Sequence, residues 1–252
     1  MVEEDQLAAG ERALDRAIST DRMGTFLRAA RGDQARARAI YIWDRDFSTA
    51  LLGDIAILEV AARNSMHEAL SRVFGARWYE HLPLDDRSAG QLANAWKELP
   101  SDVRRDPADP ALPGRLVARC MFGFWTNLLD SGGYYGRQPR RIEVNYEDNW
   151  RAALSRAFPG GKAVSRSLNE RYTRTWAHER MRLVNVVRNR AAHHEPFVNG
   201  CPLPGQPGRR LTGQEAHESC RVLARMIDRD LAAWLDQNTR VPEILTARPS
   251  AN

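Results

Sequence analysis

The segment VVRNRAAHHEPF, residues 186–197, holds the residue types in this sequence best suited to chemistry. Arg188 and His193 are spaced as R-x4-H, and Asn189 directly follows the arginine. The preceding letters RMRLVN continue an apolar helical stripe, and Arg188 falls inside it, one turn beyond Val184. An arginine in apolar surroundings suits the stabilisation of a phosphate or an oxyanion, and a histidine suits proton transfer. The spacing therefore points to acid–base chemistry on an anionic substrate.

The helix that carries this motif is predicted from about residue 166 to residue 194. Glu195 precedes Pro196, and a residue before proline avoids the helical backbone conformation. His193 then lies in the last turn, where the helix dipole favours an imidazolium. His194 is expected either to contact phosphate or to cap the helix, and the capping role is favoured.

An ideal helix keeps Arg188 and His193 apart. Positions five residues apart differ by roughly 140° around the helix and roughly 7.5 Å along it, so the two side chains cannot converge on one small group. Two solutions are open: the last turn loosens near Pro196, or a second copy of the protein completes the site. A structural interpretation also stands, in which Arg188 extends to the surface and the histidines only cap the helix.

A second polar line lies on the segment LEVAARNSMH, where Glu59, Arg63 and His67 are spaced i, i+4, i+8. One interpretation is a surface ion pair worth a few tenths of a kcal/mol. However, Glu59 borders the apolar stripe of the same helix, where a carboxylate needs a cationic partner. The sequence therefore predicts that Glu59 holds either Arg63 or Arg188.

Helical periodicity dominates and alternating strand patterns are nearly absent, which predicts an all-α bundle with additional helices and long loops. The strongest helical segment covers about residues 46–74. A first helix is expected over about 6–30 and a final one over about 213–236. Thr212 and Glu215 match a capping box at the start of that final helix.

One helical domain is expected to span the whole chain, residues 1–252. Within it, residues 1–34 would form an N-terminal helical extension and residues 237–252 a C-terminal tail. Residues 100–115 are rich in proline and aspartate, and they predict a long connection, as does the glycine- and proline-rich stretch 196–213.

The composition bounds the function only loosely. The net charge is +5 and the isoelectric point is about 9.4, which mildly favours a polyanionic partner such as RNA. Acidic residues are interspersed among the basic ones, nearly all of which are arginine. The longest apolar run is interrupted by Asp54 and Glu59 and is too short for a bilayer, so no membrane association is expected. Three scattered cysteines and an acidic amino terminus favour a reducing, cytoplasmic location.

Two competing sites use other residues. Cys201, His217 and Cys220, together with His194, could form a zinc site, although their separations match no strong ligand pattern. Aromatic side chains could stack on bases, although core packing is the favoured interpretation for them: they are Trp78, Tyr79, Phe122, Phe124 and Trp125. No metal or other cofactor is expected.

Four segments occur in the order typical of the Abi-like (abortive infection) family of the HEPN superfamily, which this chain resembles over about residues 35–235. They are YIWDRDFSTALLGDIAILEVAARNSMHEAL, FGARWYEHL, FGFWTNLL and RMRLVNVVRNRAAHHEPF. The resemblance implies a HEPN-like helical bundle and a metal-independent endoribonuclease whose R-x4-H motifs face each other across a homodimer. It makes Arg188 and His193 the catalytic pair and Asn189 the polar residue after the arginine. Ala191 departs from the commoner pattern, which has a larger aliphatic residue.

That chemistry needs no metal, because RNA carries its own nucleophile in the 2′-hydroxyl. His193 would act as base or acid, and Arg188 would stabilise charge on the phosphoryl oxygens. The resemblance implies a role in phage defence or as a toxin, with RNA as substrate and a possible antitoxin or regulatory protein as partner. The alternative is a non-catalytic helical module that binds RNA or a protein.

Overall fold

The computed structural model describes residues 2–106 and 108–250. The fold is mostly helical: 67% of the chain is helix, and the described residues form thirteen α-helices and two short two-stranded sheets. This confirms the all-α class. Within the described ranges, no helix combines the length and apolar character needed to cross a bilayer.

The elements are as follows in chain order. The helices are α1 (Val2–Ala17), α2 (Thr20–Ala29), α3 (Gln34–Phe74), α4 (Asp86–Lys97), α5 (Ser101–Arg105), α6 (Leu112–Arg119), α7 (Phe122–Asn127), α8 (Tyr146–Ala152), α9 (Gly161–Ser167), α10 (Arg174–Ala192), α11 (Gly213–Ile227), α12 (Arg229–Asn238) and α13 (Val241–Thr246). The strands are β1 (Gly132–Tyr135), β2 (Ile142–Asn145), β3 (Cys201–Pro202) and β4 (Arg210–Leu211).

The chain divides into two compact units, each assembled from segments that are distant in sequence. Unit 1 comprises Met1–Gly53, Val187–His217 and Thr239–Asn252, and unit 2 comprises Asp54–Val186 and Glu218–Asn238. The single domain expected for the whole chain stays a prediction.

The core of unit 1 is built on the first part of α3. Trp43 stacks on Phe47 with ring centroids 5.6 Å apart, and Phe47 meets Phe197 edge-on at 5.4 Å. The Trp43 indole donates to the Ile244 carbonyl at 2.7 Å, and Val241 is fully buried. The segment expected to be a C-terminal tail therefore contributes α13, which packs on this core.

The core of unit 2 is aromatic. Trp78 lies 5.8 Å from Trp125 and 6.3 Å from Phe124, measured between ring centroids. All five aromatic residues weighed for base stacking, namely Trp78, Tyr79, Phe122, Phe124 and Trp125, are buried. Base stacking is therefore the wrong interpretation for them, and core packing is confirmed.

Several helix boundaries differ from the predicted ones because side chains cap the breaks. The predicted first helix is two helices, separated where the Ser19 hydroxyl accepts the Arg22 N–H at 3.4 Å. The predicted final helix is also two, because the Asp228 carboxylate accepts the N–H groups of Asp230 and Leu231 at 2.7 and 2.9 Å and so begins α12.

The capping box at the start of α11 is confirmed. Thr212 Oγ1 accepts the Glu215 N–H at 3.1 Å, and the Glu215 carboxylate accepts the Thr212 N–H at 2.7 Å. Together these bonds satisfy two backbone donors at the beginning of the helix.

The structure also contains two short hairpins, although the sequence shows almost no alternating strand pattern. In the first, β1 pairs antiparallel with β2, with Gly132 opposite Asn145 and Tyr135 opposite Ile142. Gly132 has φ +83°, and a β-carbon there would lie 2.0 Å from the Val144 carbonyl oxygen. Only glycine fits that position.

Candidate active site

Helix α10 ends in a Schellman turn that includes the second histidine of the motif. The Arg190 carbonyl accepts the Glu195 N–H at 2.9 Å, and the Ala191 carbonyl accepts the His194 N–H at 3.0 Å. His194 has φ +55°, the left-handed conformation that such a turn requires and that glycine usually adopts. His194 therefore occupies the capping position of the helix, the role favoured for it from the sequence.

His193 is exposed immediately before that cap. Its N–H still donates to the Asn189 carbonyl at 2.9 Å, so the helical register continues through His193. Arg188 is half-buried and donates to Oδ1 of Asn189 at 3.4 Å. Loosening of the last turn was one of the two predicted ways to join Arg188 and His193. Because the register is regular, it does not occur before His193, and the two positions stay roughly 140° apart around the helix.

Arg190, the other arginine of the motif, fastens the chain that follows the helix. Its Nε donates to the Pro196 carbonyl at 2.8 Å, and its guanidinium pairs with Glu195 at 2.8 Å. The same guanidinium lies over the Phe197 ring, 5.6 Å from the centroid. Arg190 thus contacts three successive residues after the helix and fixes their path. The spacing of the motif gives Arg190 no role.

A buried carboxylate holds the same segment from the other side. Asp44 on α3 is 5% exposed, and its Oδ1 accepts the Phe197 N–H at 2.8 Å, with a second hydrogen bond from the Val198 N–H. Burial raises the pKa of Asp44 to about 6, although these two amides and the nearby Arg190 and Arg22 act in the opposite direction.

The sequence does contain a signal for Asp44. It follows Ile40 by four residues and precedes Phe47 by three, so it falls on the apolar face of α3. The predicted helix began at about residue 46, and α3 begins at Gln34. Asp44 therefore lies before the predicted start of the helix, on a part of its apolar face that the prediction leaves out.

A cavity of about 520 Å³ adjoins the turn within unit 1. Arg22, which lines it, also donates from its guanidinium to the His194 carbonyl. The other polar residues of the lining are Ser19, Tyr41, Asp44, Arg45, Ser48, Thr49 and His194. The cavity is lined by His194 and not by His193 or Arg188.

The second polar line lies in unit 2, where its first two members contact backbone groups. Glu59 Oε1 accepts the Phe122 N–H at 3.1 Å, the first donor of α7, which has no cap from Met121. Arg63 donates to the Ala118 carbonyl near the end of α6 at 3.3 Å. Glu59 and Arg63 thus brace the corner between α6 and α7 from α3.

His67, the third member of the line, has a structural role as a neutral imidazole. Its Nδ1 accepts the indole N–H of Trp78 at 2.9 Å, and burial lowers the pKa of His67. An unprotonated Nδ1 is required to accept that bond. The second polar line, formed by Glu59, Arg63 and His67, therefore supports the elements that pack on α3.

The alternative zinc site is wrong. Within residues 2–106 and 108–250, no group of three or more His, Cys, Asp and Glu side chains could hold a metal ion, and this includes the set Cys201, His217, Cys220 and His194. The three cysteines are buried and free. Burial raises the pKa of Cys120 to about 12 and also raises that of Cys220, which makes both thiols poor nucleophiles.

Comparison of the chain with family models, with curated proteins and with solved structures finds no match. The resemblance to the Abi-like family thus stays a prediction from the four quoted segments. The roles of Arg188 and His193 also stay predictions, and the geometry of the α10 terminus is the evidence available for them.

We expect Asp44 to make the protein less stable as the pH rises from about 4 to about 6. Because its pKa is raised from 3.8 to about 6, the folded state binds a proton more tightly than the unfolded chain does, and the free energy of unfolding falls across that window. A pKa difference of that size corresponds to about 3 kcal/mol. Asp44→Asn removes the titration, so the wild type should lose stability relative to this variant as the pH rises.

Urea denaturation at a series of pH values measures this difference. Asp46→Asn is the matched control, because Asp46 lies two residues further along α3 with its carboxylate half-exposed beside Arg45. The wild type and Asp46→Asn should show similar profiles between pH 4 and 6. Parallel profiles for the wild type and Asp44→Asn would contradict the role of Asp44.

We expect Glu59→Ala to lower the free energy of unfolding by about 1 kcal/mol, the usual cost of a lost helix cap. The substitution leaves the Phe122 N–H at the start of α7 without its acceptor. Glu59→Gln keeps an amide oxygen at the same place and should cost much less. Chemical denaturation of the three proteins is the measurement, and equal midpoints for Glu59→Ala and the wild type would refute the bracing role.

Proposed function

We propose that this protein is a metal-independent endoribonuclease in which Arg188 and His193 act at the scissile phosphate. The observation that carries the proposal is the state of the His193 side chain. It is exposed at the end of α10, and its ring has no hydrogen bond or ion pair within the part of the chain that the structure describes. The bonds that brace the turn come from Arg190, Asp44 and Arg22, so the His193 imidazole remains available to a substrate.

The reaction requires only groups of these types. A base removes the proton of the 2′-hydroxyl, the 2′-oxygen bonds to phosphorus, and the 5′-oxygen departs with a proton from an acid. His193 serves as base or acid, and Arg188 stabilises the charge that builds on the phosphoryl oxygens. The products are a 2′,3′-cyclic phosphate and a free 5′-hydroxyl.

The separation of Arg188 from His193 supports a homodimer. A regular helix keeps the two side chains on different sides, so one chain does not bring both to the same phosphate. A two-fold arrangement in which the 188–193 segments of two copies face each other would pair Arg188 of one copy with His193 of the other.

The biological setting follows from the resemblance to Abi-like proteins. We propose that the protein acts in the cytoplasm, in phage defence or as a toxin, with an antitoxin or another regulatory protein as a possible partner. The net charge of +5 agrees with an RNA substrate.

A second candidate function is a non-catalytic helical module that binds RNA or a protein. It is favoured by the number of polar groups that already have structural roles: Arg190, His194, Glu59 and Arg63 each contact backbone or cap a helix. In this case Arg188 and His193 would contribute to binding alone.

We expect His193→Ala to lower RNA cleavage by about 10²–10⁴-fold, because general acid–base catalysis contributes about that much. Arg188→Ala should lower cleavage to a similar degree. Cleavage by the wild type should persist in EDTA, and a substrate with 2′-deoxy at the cleaved position should resist because it has no nucleophile. The measurement is the rate of cleavage of total RNA and of a defined oligonucleotide by purified protein.

His81→Ala and Arg137→Ala are the matched controls, because both residues are exposed and lie outside the motif. Both control variants should cleave at the wild-type rate. Wild-type cleavage by His193→Ala and Arg188→Ala would remove the assignment. Binding of RNA without cleavage by any of these proteins would favour the non-catalytic module.

We expect a two-fold homodimer in solution at micromolar concentration. Light scattering combined with size exclusion measures its mass, which should be twice the 28.5 kDa of one chain. An equimolar mixture of inactive Arg188→Ala and His193→Ala proteins should regain part of the activity, because a mixed dimer contains one intact pair. A fully active monomer would rule the dimer out.

A further inference from the structure

Unit 2 contains an open groove of about 820 Å³ that the proposed reaction does not use. Its walls are α4, the chain around residues 79–84 and the β1–β2 hairpin. The lining is mainly apolar and includes Leu82, Leu84, Leu92, Trp96, Ile142 and Val144. A volume of this size with apolar walls and few polar groups is typical of small-molecule sites, which span about 300–1,000 Å³.

The groove leaves large apolar side chains exposed to water. Ile142 is 62% exposed and Tyr135 is 52% exposed, and these two residues face each other as partners in the hairpin. Exposed apolar surface around a concavity favours a ligand that covers it. The occupant therefore has an apolar body.

The polar groups of the lining indicate the rest of the ligand. Lys97 is one of two lysines in the chain, and its ammonium has no ion pair within the described residues. Glu80, the only acidic residue of the lining, pairs with Arg77 at 3.2 Å. The groove lining therefore has one cation without an ion pair among the described residues, which complements an anionic head group.

Tyr79 adds a buried hydroxyl to the groove wall. Its side chain is 9% exposed, and the hydroxyl has no hydrogen-bond partner in the described part of the chain. Burial raises the pKa of Tyr79, so the hydroxyl stays protonated. A buried polar group without a partner is uncommon in native proteins and is relieved by a ligand or by water.

We propose that this groove binds a small amphipathic carboxylate, such as a medium-chain fatty acid. The apolar chain lies against Leu92, Trp96 and Ile142, and the carboxylate pairs with Lys97. The site is independent of the proposed ribonuclease function, because each of its residues belongs to unit 2 and its test measures binding alone.

The test is a calorimetric titration of the purified full-length protein with decanoate below its micellar concentration. Decanoate should bind saturably with one site per chain. Decyltrimethylammonium, which has the same chain and the opposite charge, should bind at least about tenfold more weakly, because its cationic head group is repelled by Lys97.

Three variants locate the binding. Lys97→Glu should weaken decanoate binding by at least about tenfold and improve binding of the cationic amphiphile. Ile142→Asn, which removes apolar surface from an exposed position without adding a charge, should weaken binding of both. Lys162→Glu changes the only other lysine, which is exposed on α9, and should bind decanoate as the wild type does. Circular dichroism and a thermal melt check that each variant is folded.

Other results would overturn the proposal. They include an absence of saturable decanoate binding and equal losses in Lys97→Glu and Lys162→Glu. Unchanged binding by folded Ile142→Asn would place the ligand elsewhere. If the groove variants alter the mass in sedimentation but no amphiphile binds, the groove is an interface between copies and not a ligand site.

Discussion

The buried carboxylate of Asp44 is the interaction on which the candidate site depends. It accepts the amide protons of Phe197 and Val198, the first residues after the proline that follows α10. An unpaired backbone amide in that buried position would cost free energy comparable to a lost hydrogen bond. Asp44 therefore fixes the chain after the helix, and with it the backbone of the two preceding histidines.

Burial disfavours the charged form of the Asp44 carboxyl that performs this role. Burial raises the pKa of Asp44 even though two amides and two guanidinium groups lie nearby, so the desolvation of the charge outweighs their combined attraction. A neutral hydroxyl group at the position of the carboxylate would accept the two amide hydrogen bonds more weakly. The buried Asp44 carboxylate thus lowers the stability of the fold at neutral pH, but it fixes the turn after α10.

Arginine has a consistent internal role in both units. Arginines that donate to backbone carbonyls include Arg22, Arg63, Arg156, Arg174, Arg190, Arg209, Arg210 and Arg248. The planar guanidinium presents five donors, so it can satisfy a carbonyl and still pair with a carboxylate, as Arg190 does with Pro196 and Glu195. Several of the basic residues counted in the net charge therefore also have structural contacts.

The sequence was informative where a signal is local and limited where it depends on distant partners. The helical class, the capping box of Thr212 and Glu215 and the capping position of His194 follow from periodicity and from residues a few positions apart. The breaks at Ser19 and Asp228 are also local, but their caps lie within apolar periodicity that continues across them. The contacts of Glu59 with Phe122 and of Asp44 with Phe197 join residues 63 and 153 positions apart, and no spacing rule predicts them.

The geometry of α10 separates the two arginines of the motif, and the turn at its end separates the roles of the two histidines. Arg188 and Arg190 differ by roughly 200° around α10, so they lie on nearly opposite sides of the helix. The donors of Arg190 bind Pro196 and Glu195, and the backbone of His194 is fixed as a cap by the Ala191 and Arg22 contacts. Each pair thus has one member committed to bracing the turn. The R-x4-H spacing falls on the other member of each pair, Arg188 and His193, which are the two residues proposed to act on RNA.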